Sequence, residues 1–398
     1  MYAVGYASVT LVVAGANNLV WRPTLLTNTF ERTAIAEAVR PYTLPRDPAI
    51  TPAQAGAAYI ALQVKDRRSR EFRMRTVENR PDAPWRHWGK LEASLFPTAR
   101  PSASPGVPNS TKIITATARG LSAAEREVLR QIASAPLWRE YDVVARAGGM
   151  DVVSAQFEMP FGATENVFSM PIMRFAETNE LAYAGVSRAA WHISQGRVDL
   201  AESALRGVVS FGFAMIDNAV VPIEQLIGNV IVGIGRDGLS QLFAVTNDPR
   251  GAALERAVRD APRIRPVPGT LANLANVRDP ARQRLIAVAD DPTVPRAARF
   301  QALRDLSFRS CANPAELMAG AGAETRDAFA RARKDLARHP GEQAFLDLVE
   351  NVLTRPVPVY GGDGIAASIA GAASGVSALF ANPRLEACTL LARDVGRF

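Results

Sequence analysis

The region from Val208 to Leu242 constrains the fold most, because a stretch this apolar has to be largely buried. Pro222 divides it, and Ile223, Leu226, Ile227 and Val230 follow at helical spacing. Proline is suited to the first turn of a helix, where its missing N–H costs nothing. A buried helix needs helical neighbours. The same periodicity runs over about 174–195 and 198–217 before it and about 250–260 after it. The expected fold is mainly α, built from helical hairpins in a bundle or an irregular α-solenoid.

Punctuation divides the rest of the chain. Thr51–Pro52 forms an N-cap and N1 pair ahead of a short helix. Residues 97–109 (PTARPSASPGVPN) have the composition of a linker. Beyond it, Thr111–Ala118 alternates enough to predict one strand. Ser122 and Glu125 then make a capping box ahead of Val128, Leu129 and Ile132. Further helices are expected at about 277–289, 294–309, 313–320, 323–338, 341–354 and 383–394, with Pro292, Pro295, Pro314 and Pro340 at boundaries. Strands do not alternate with helices, which argues against a large parallel sheet. Three regions result: an apolar segment at 1–21, a basic region at 22–110, and a helical domain at 111–398.

Within the helical domain, Ala189, His192, Gly196, Ala201, Leu205 and Val208 fall where one helical repeat places small or apolar residues. On these residues the segment around 189–208 resembles a tetratricopeptide hairpin. The likeness covers one hairpin, and His192 stands where the repeat has an aromatic. It implies paired helices that offer a surface or groove to a protein partner.

Charge is unevenly placed. Of the 398 residues, the first 120 carry 16 Lys/Arg against 8 Asp/Glu, while the remainder is nearly balanced. Lysine occurs only at positions 65, 90, 112 and 334; this arginine bias and the heavy alanine use suggest a GC-rich, bacterial-type genome. Between residues 65 and 90, Arg67, Arg68, Arg70, Arg73, Arg75 and Arg86 are joined by Trp85 and Trp88. Cations interleaved with aromatics can meet lipid head groups or stack on bases; the plainer reading is a solvated, partly ion-paired face. Residues 1–21 carry no charged side chain and precede a Trp21–Arg22 pair. They read as a membrane anchor, a degenerate signal sequence, or a buried strand or helix of a core. Residues 361–381 begin with a Gly-rich turn and continue as an uncharged small-residue run, where Gly371 and Gly375 stand in G-x-x-x-G spacing; it reads as a tightly packed helix or loop rather than a second span.

Motifs for chemistry are sparse. Gly233, Gly235 and Gly238 spell the dinucleotide-binding fingerprint, but helical spacing precedes them and residues 250–260 read as helix where a second strand should follow. The expectation is a buried helix whose glycines admit a close neighbour. Asp217 and Glu224 lie in the apolar region and could mark a site, or could face solvent and cap a helix. The histidines, His87, His192 and His339, have no metal-ligand spacing, and His192 reads as a packed core residue. Cys311 and Cys388 could pair in an exported protein. No catalytic residue, cofactor or metal is assigned. The functional expectation is an envelope-associated scaffold, held at the inner membrane, that binds a protein partner. The alternatives are an enzyme built around Asp217, Glu224 and His192, and, ranked lowest, a nucleic-acid binder using residues 65–90.

Overall fold

The computed structural model describes residues 35–63, 72–75, 112–162, 170, 175–220, 222–261, 287–292, 294, 299, 302, 327, 330–331 and 336–354. These are mainly α-helical. Among them there is no strand, only an isolated bridge between Met74 and Phe157. Residues 1–21, 97–109 and 361–381, and Arg67, Arg68, Arg70, Trp85, Arg86, Trp88, Cys311 and Cys388, lie outside the described residues. So do most of the helices expected between 277 and 338, and that at 383–394.

Helix α1 (Pro52–Leu62) begins where Thr51–Pro52 predicts. The Thr51 hydroxyl accepts from the Gln54 N–H (3.2 Å), and the Gln54 side-chain oxygen accepts from the Thr51 N–H (2.9 Å), so two orphan donors are satisfied reciprocally. Helix α2 (Ile113–Arg119) replaces the strand expected at Thr111–Ala118. The reason lies in which residues are buried. Ile113, Ile114 and Thr117 form an i, i+1, i+4 face, whereas a strand would bury every second position. Thr117 also donates its hydroxyl back to the Ile113 carbonyl (2.7 Å). Packing of that face overrides the β-propensity of the Ile and Thr run.

Helix α3 (Ala123–Ala133) has the expected Ser122/Glu125 capping box and buries Leu129 and Ile132. Helix α4 (Trp138–Arg146) buries Trp138, Tyr141 and Val144. A short α5 (Val152–Gln156) follows, capped by Asp151.

The core is a run of three long helices, α6 (Phe175–Ser194), α7 (Val198–Asp217) and α8 (Pro222–Val245), ending in α9 (Arg250–Arg259). The α6–α7 turn is a Schellman motif. Gly196 takes φ +70°, the Arg197 N–H reaches the His192 carbonyl (2.9 Å), and the Gly196 N–H reaches Ile193 (2.9 Å). Helix α8 closes the same way, with Asn247 at φ 54° and its follower Asp248 bonded to the Phe243 carbonyl (2.8 Å). The hairpin expected from Gly196 is therefore present. Its two 20-residue helices together exceed the roughly 34-residue unit of a tetratricopeptide repeat.

Helices α7 and α8 run antiparallel, with Leu205 against Gly238, Val209 against Gly235, and Ile216 against Gly228. A Cβ on Gly212 would fall 2.8 Å from the Gly228 carbonyl oxygen, and one on Gly235 would fall 2.9 Å from the Val209 nitrogen. The backbones approach too closely for any side chain. Gly235 and Gly238 thus serve helix packing, as expected, and the fingerprint lies inside one continuous helix.

Around this pair sits an aromatic layer. Tyr141 of α4 stacks on Phe211 of α7 with centroids 4.6 Å apart, and Tyr59 of α1 and Trp138 lie against it. A second, smaller cluster joins α5 to α10 (Pro340–Thr354) through Val153, Phe157, Phe345 and Leu348.

Candidate functional site

A gathering of charged groups surrounds the last residue of α7. Residues 36–50 cross that helix, with the Leu44 N–H donating to the Ser210 hydroxyl (2.7 Å) and the Arg206 guanidinium donating to the Thr43 carbonyl (2.6 Å). This places Arg40 over the Phe213 ring, 4.0 Å from its centroid. Arg40 donates to both Asp217 oxygens (2.8 Å each) and to both Glu37 oxygens (2.6 Å each). Burial works to lower the Arg40 pKa, but Glu37 and Asp217 outweigh it and raise the pKa above the ordinary arginine value.

Two further arginines share this end. Arg46, 63% exposed at its side chain, approaches Asp217 Oδ2 at 3.5 Å. Arg338 arrives from just before α10. Partial shielding from water lowers its pKa, Asp217 opposes that, and the Arg46 and Arg40 charges add to the lowering. The Arg338 backbone N–H is bonded to Glu342 (2.8 Å); its guanidinium has no hydrogen bond or ion pair among the described residues. The Gly148–Gly149 loop lies beside Arg46, whose Cδ is 4.0 Å from where a Gly148 Cβ would stand. Neither glycine N–H donates to a backbone carbonyl among the described residues, whereas the next N–H, of Met150, is held by the Asn218 side chain (3.0 Å).

The other end of α7 is different. Val198 (41%) and Leu200 (46%) are exposed in its first turn, while Trp191 and Ile193 near the end of α6 are partly buried against the core. His192 sits here half-buried, at the end of α6 rather than packed in the core as expected, and its Nδ1 has no hydrogen-bond partner among the described residues. Desolvation, then Arg197 and Arg188, lower its pKa.

The alternative enzymatic grouping therefore does not assemble. His192 is separated from Asp217 and Glu224 by the length of α7, about 30 Å for 20 residues. Asp217 is taken up by arginines, and Glu224 caps the start of α8 by accepting from the Val220 N–H (2.7 Å). Glu224 also bears on a small buried polar group. There the Gln63 amide donates to the Thr178 hydroxyl (3.1 Å), and burial followed by the Glu224 charge raises the pKa of Tyr59. At the α5–α10 junction, buried Asp151 accepts from the Ser154 backbone (3.0 Å) and hydroxyl (2.8 Å) and from the Gly341 N–H (3.1 Å), so one carboxylate caps two helices.

Of the predicted basic residues, Arg73 pairs with Glu158 (3.5 Å), and Arg75 donates to the Ser154 and Phe157 carbonyls (2.9 and 3.2 Å). Both face the protein's own α5 region. The sequence carries no local signal for Arg40 and Arg46 beside Asp217, because these positions are far apart in the chain. Among the described residues no group of three His, Cys, Asp or Glu could hold a metal ion, and no helix is long and apolar enough to cross a membrane. No protein-family model, curated protein or solved structure matches this chain.

Proposed function

We propose that this chain is an envelope-associated helical scaffold that acts by binding a protein partner. The observation that supports the reading is the tip of the α6–α7 hairpin. Val198 and Leu200 stand in water on a turn whose backbone is fully fixed by the Gly196 Schellman bonds. Scattered exposed aliphatics are ordinary. Two of them in the first turn after a hydrogen-bonded hairpin bend offer an apolar partner a pre-organised surface with little ordering cost. The uncharged segment at 1–21 and the Trp21–Arg22 pair support a place at the envelope.

The test uses the full chain in its native host, with a photo-crosslinking residue at exposed Gln195 and membranes washed in carbonate. The reading expects the chain to stay in the washed membrane and to form one defined adduct, lost when Leu200→Lys is introduced. A chain released by the wash, or an adduct indifferent to Leu200→Lys, overturns it.

A further inference from the structure

We infer that His339 is a pH-sensitive latch fastening α10 to the start of α5, its protonated ring held between the carboxylates of Asp151 and Glu342. All three side chains are buried: His339, Asp151 and Glu342 are 7%, 4% and 0% exposed. His339 Nδ1 lies 3.5 Å from Asp151 Oδ2, and its Nε2 lies 3.9 Å from Glu342 Oε2. Each ring nitrogen therefore faces a carboxylate oxygen, one from the cap of α5 and one from α10. Two buried carboxylates side by side are costly unless a cation joins them, and an imidazolium can donate from both nitrogens. The cations of the neighbourhood are engaged in other ways. Arg75 donates to the Ser154 and Phe157 carbonyls, and the Arg338 charge interacts with Asp217, Arg46 and Arg40.

Hydrogen bonding gives the ring two exclusive states. Nδ1 is also 3.3 Å from the Glu342 backbone nitrogen, in the first turn of α10. A neutral ring with its lone pair at Nδ1 accepts from that N–H and caps α10, but it then meets Asp151 Oδ2 with no hydrogen between them. A protonated ring donates to Asp151 and gives up the cap. Asp151 cannot turn away, because the Ser154 N–H, the Ser154 hydroxyl and the Gly341 N–H all donate to it, and Gly341 packs against it so closely that a Cβ there would collide with Oδ1. The ring proton thus decides whether α10 is drawn onto α5 or only capped. Protonation favours the docked arrangement, so docking favours protonation. The attachment is fully present where a histidine of the unfolded chain is protonated, and it is lost as pH rises through the titration of docked His339. Release uncovers the cluster of Val153, Phe157, Phe345 and Leu348.

The latch uses no residue of the hairpin tip, so either proposal can fail without the other. The full chain has three histidines, so carbon–proton NMR of the imidazoles follows each through a pH titration. His339 is assigned with His339→Asn, a replacement whose side chain still caps a helix. Hydrogen exchange of residues 340–354, read by mass spectrometry and corrected for the intrinsic pH dependence of exchange, follows α10. His339 is expected to titrate at a lower pH in Asp151→Asn and in Glu342→Gln than in wild type. Protection of α10 is expected to fall roughly tenfold as pH rises through the wild-type titration, and this step is absent in His339→Asn. A titration that neither variant lowers, or α10 protection that stays flat or rises with pH, overturns the inference. The wild-type exchange profile alone decides the direction of the step where a variant fails to fold.

Discussion

One helix, α7, begins and ends in opposite chemistry. Its first turn leaves Val198 and Leu200 in water, and its last residue draws guanidiniums from two other segments of the chain. Between them, Gly212 and the facing glycines of α8 bring two backbones into contact. The difference teaches that the middle of α7 specifies the fold, while its ends are available for other uses. The apolar end depends on a local turn of six residues; the charged end depends on contacts between residues as much as 177 positions apart.

Breaking the middle should abolish the comparison altogether. Gly235→Ala adds a methyl group 2.7 Å from Val209 Cγ2 and 2.9 Å from its backbone nitrogen. Despite the better helix propensity of alanine, thermal or urea unfolding should register a loss of about 3 kcal/mol. Asp217→Asn should act on one end only. It costs about 1.5 kcal/mol, a value reduced for the partial exposure of the pair, read as a lower unfolding midpoint in urea.

Gly196→Ala touches the other end. A side chain at φ +70° is strained by about 1 kcal/mol. Limited proteolysis should speed up at the 194–198 turn. The smallest effect is a pH dependence at the tip. Desolvation, with Arg197 and Arg188, holds the folded His192 below its ordinary pKa of about 6.5. The unfolded chain therefore binds more protons in the window below that value, and stability is lost as pH falls through it. Urea titrations across this window should show the slope, and His192→Gln should flatten it.

The central helices were legible because they carry their own signals. Expected boundaries at 174–195, 198–217 and 222–244 fall within a residue of those observed, set by apolar periodicity, Gly196 and Pro222. Thr111–Ala118 misled because β-branched residues bias a short window toward a strand, while the pair Ile113–Ile114 fits only a helical face. The charged end was hidden for a different reason. An arginine in a polar loop looks like any solvated cation until tertiary structure sets it beside Asp217. The hairpin tip is half-legible in the sequence: Gly196 signals the turn, but the exposure of Val198 and Leu200 depends on tertiary packing.

The α7–α8 seam also determines how this protein can vary. Every amino-acid replacement open to a glycine codon by a single base change adds a Cβ, and at Gly212, Gly228 and Gly235 that atom meets backbone within 3.0 Å. These positions have no neutral neighbours in sequence space. Gly238 is more permissive, since its Cβ would meet only the Leu205 side chain, which can rotate away, and Gly233 has nothing within 4 Å. A randomly mutagenised library selected for folded protein should therefore be depleted at three glycines of the seam and populated at the other two, tracing the helix crossing without a structure.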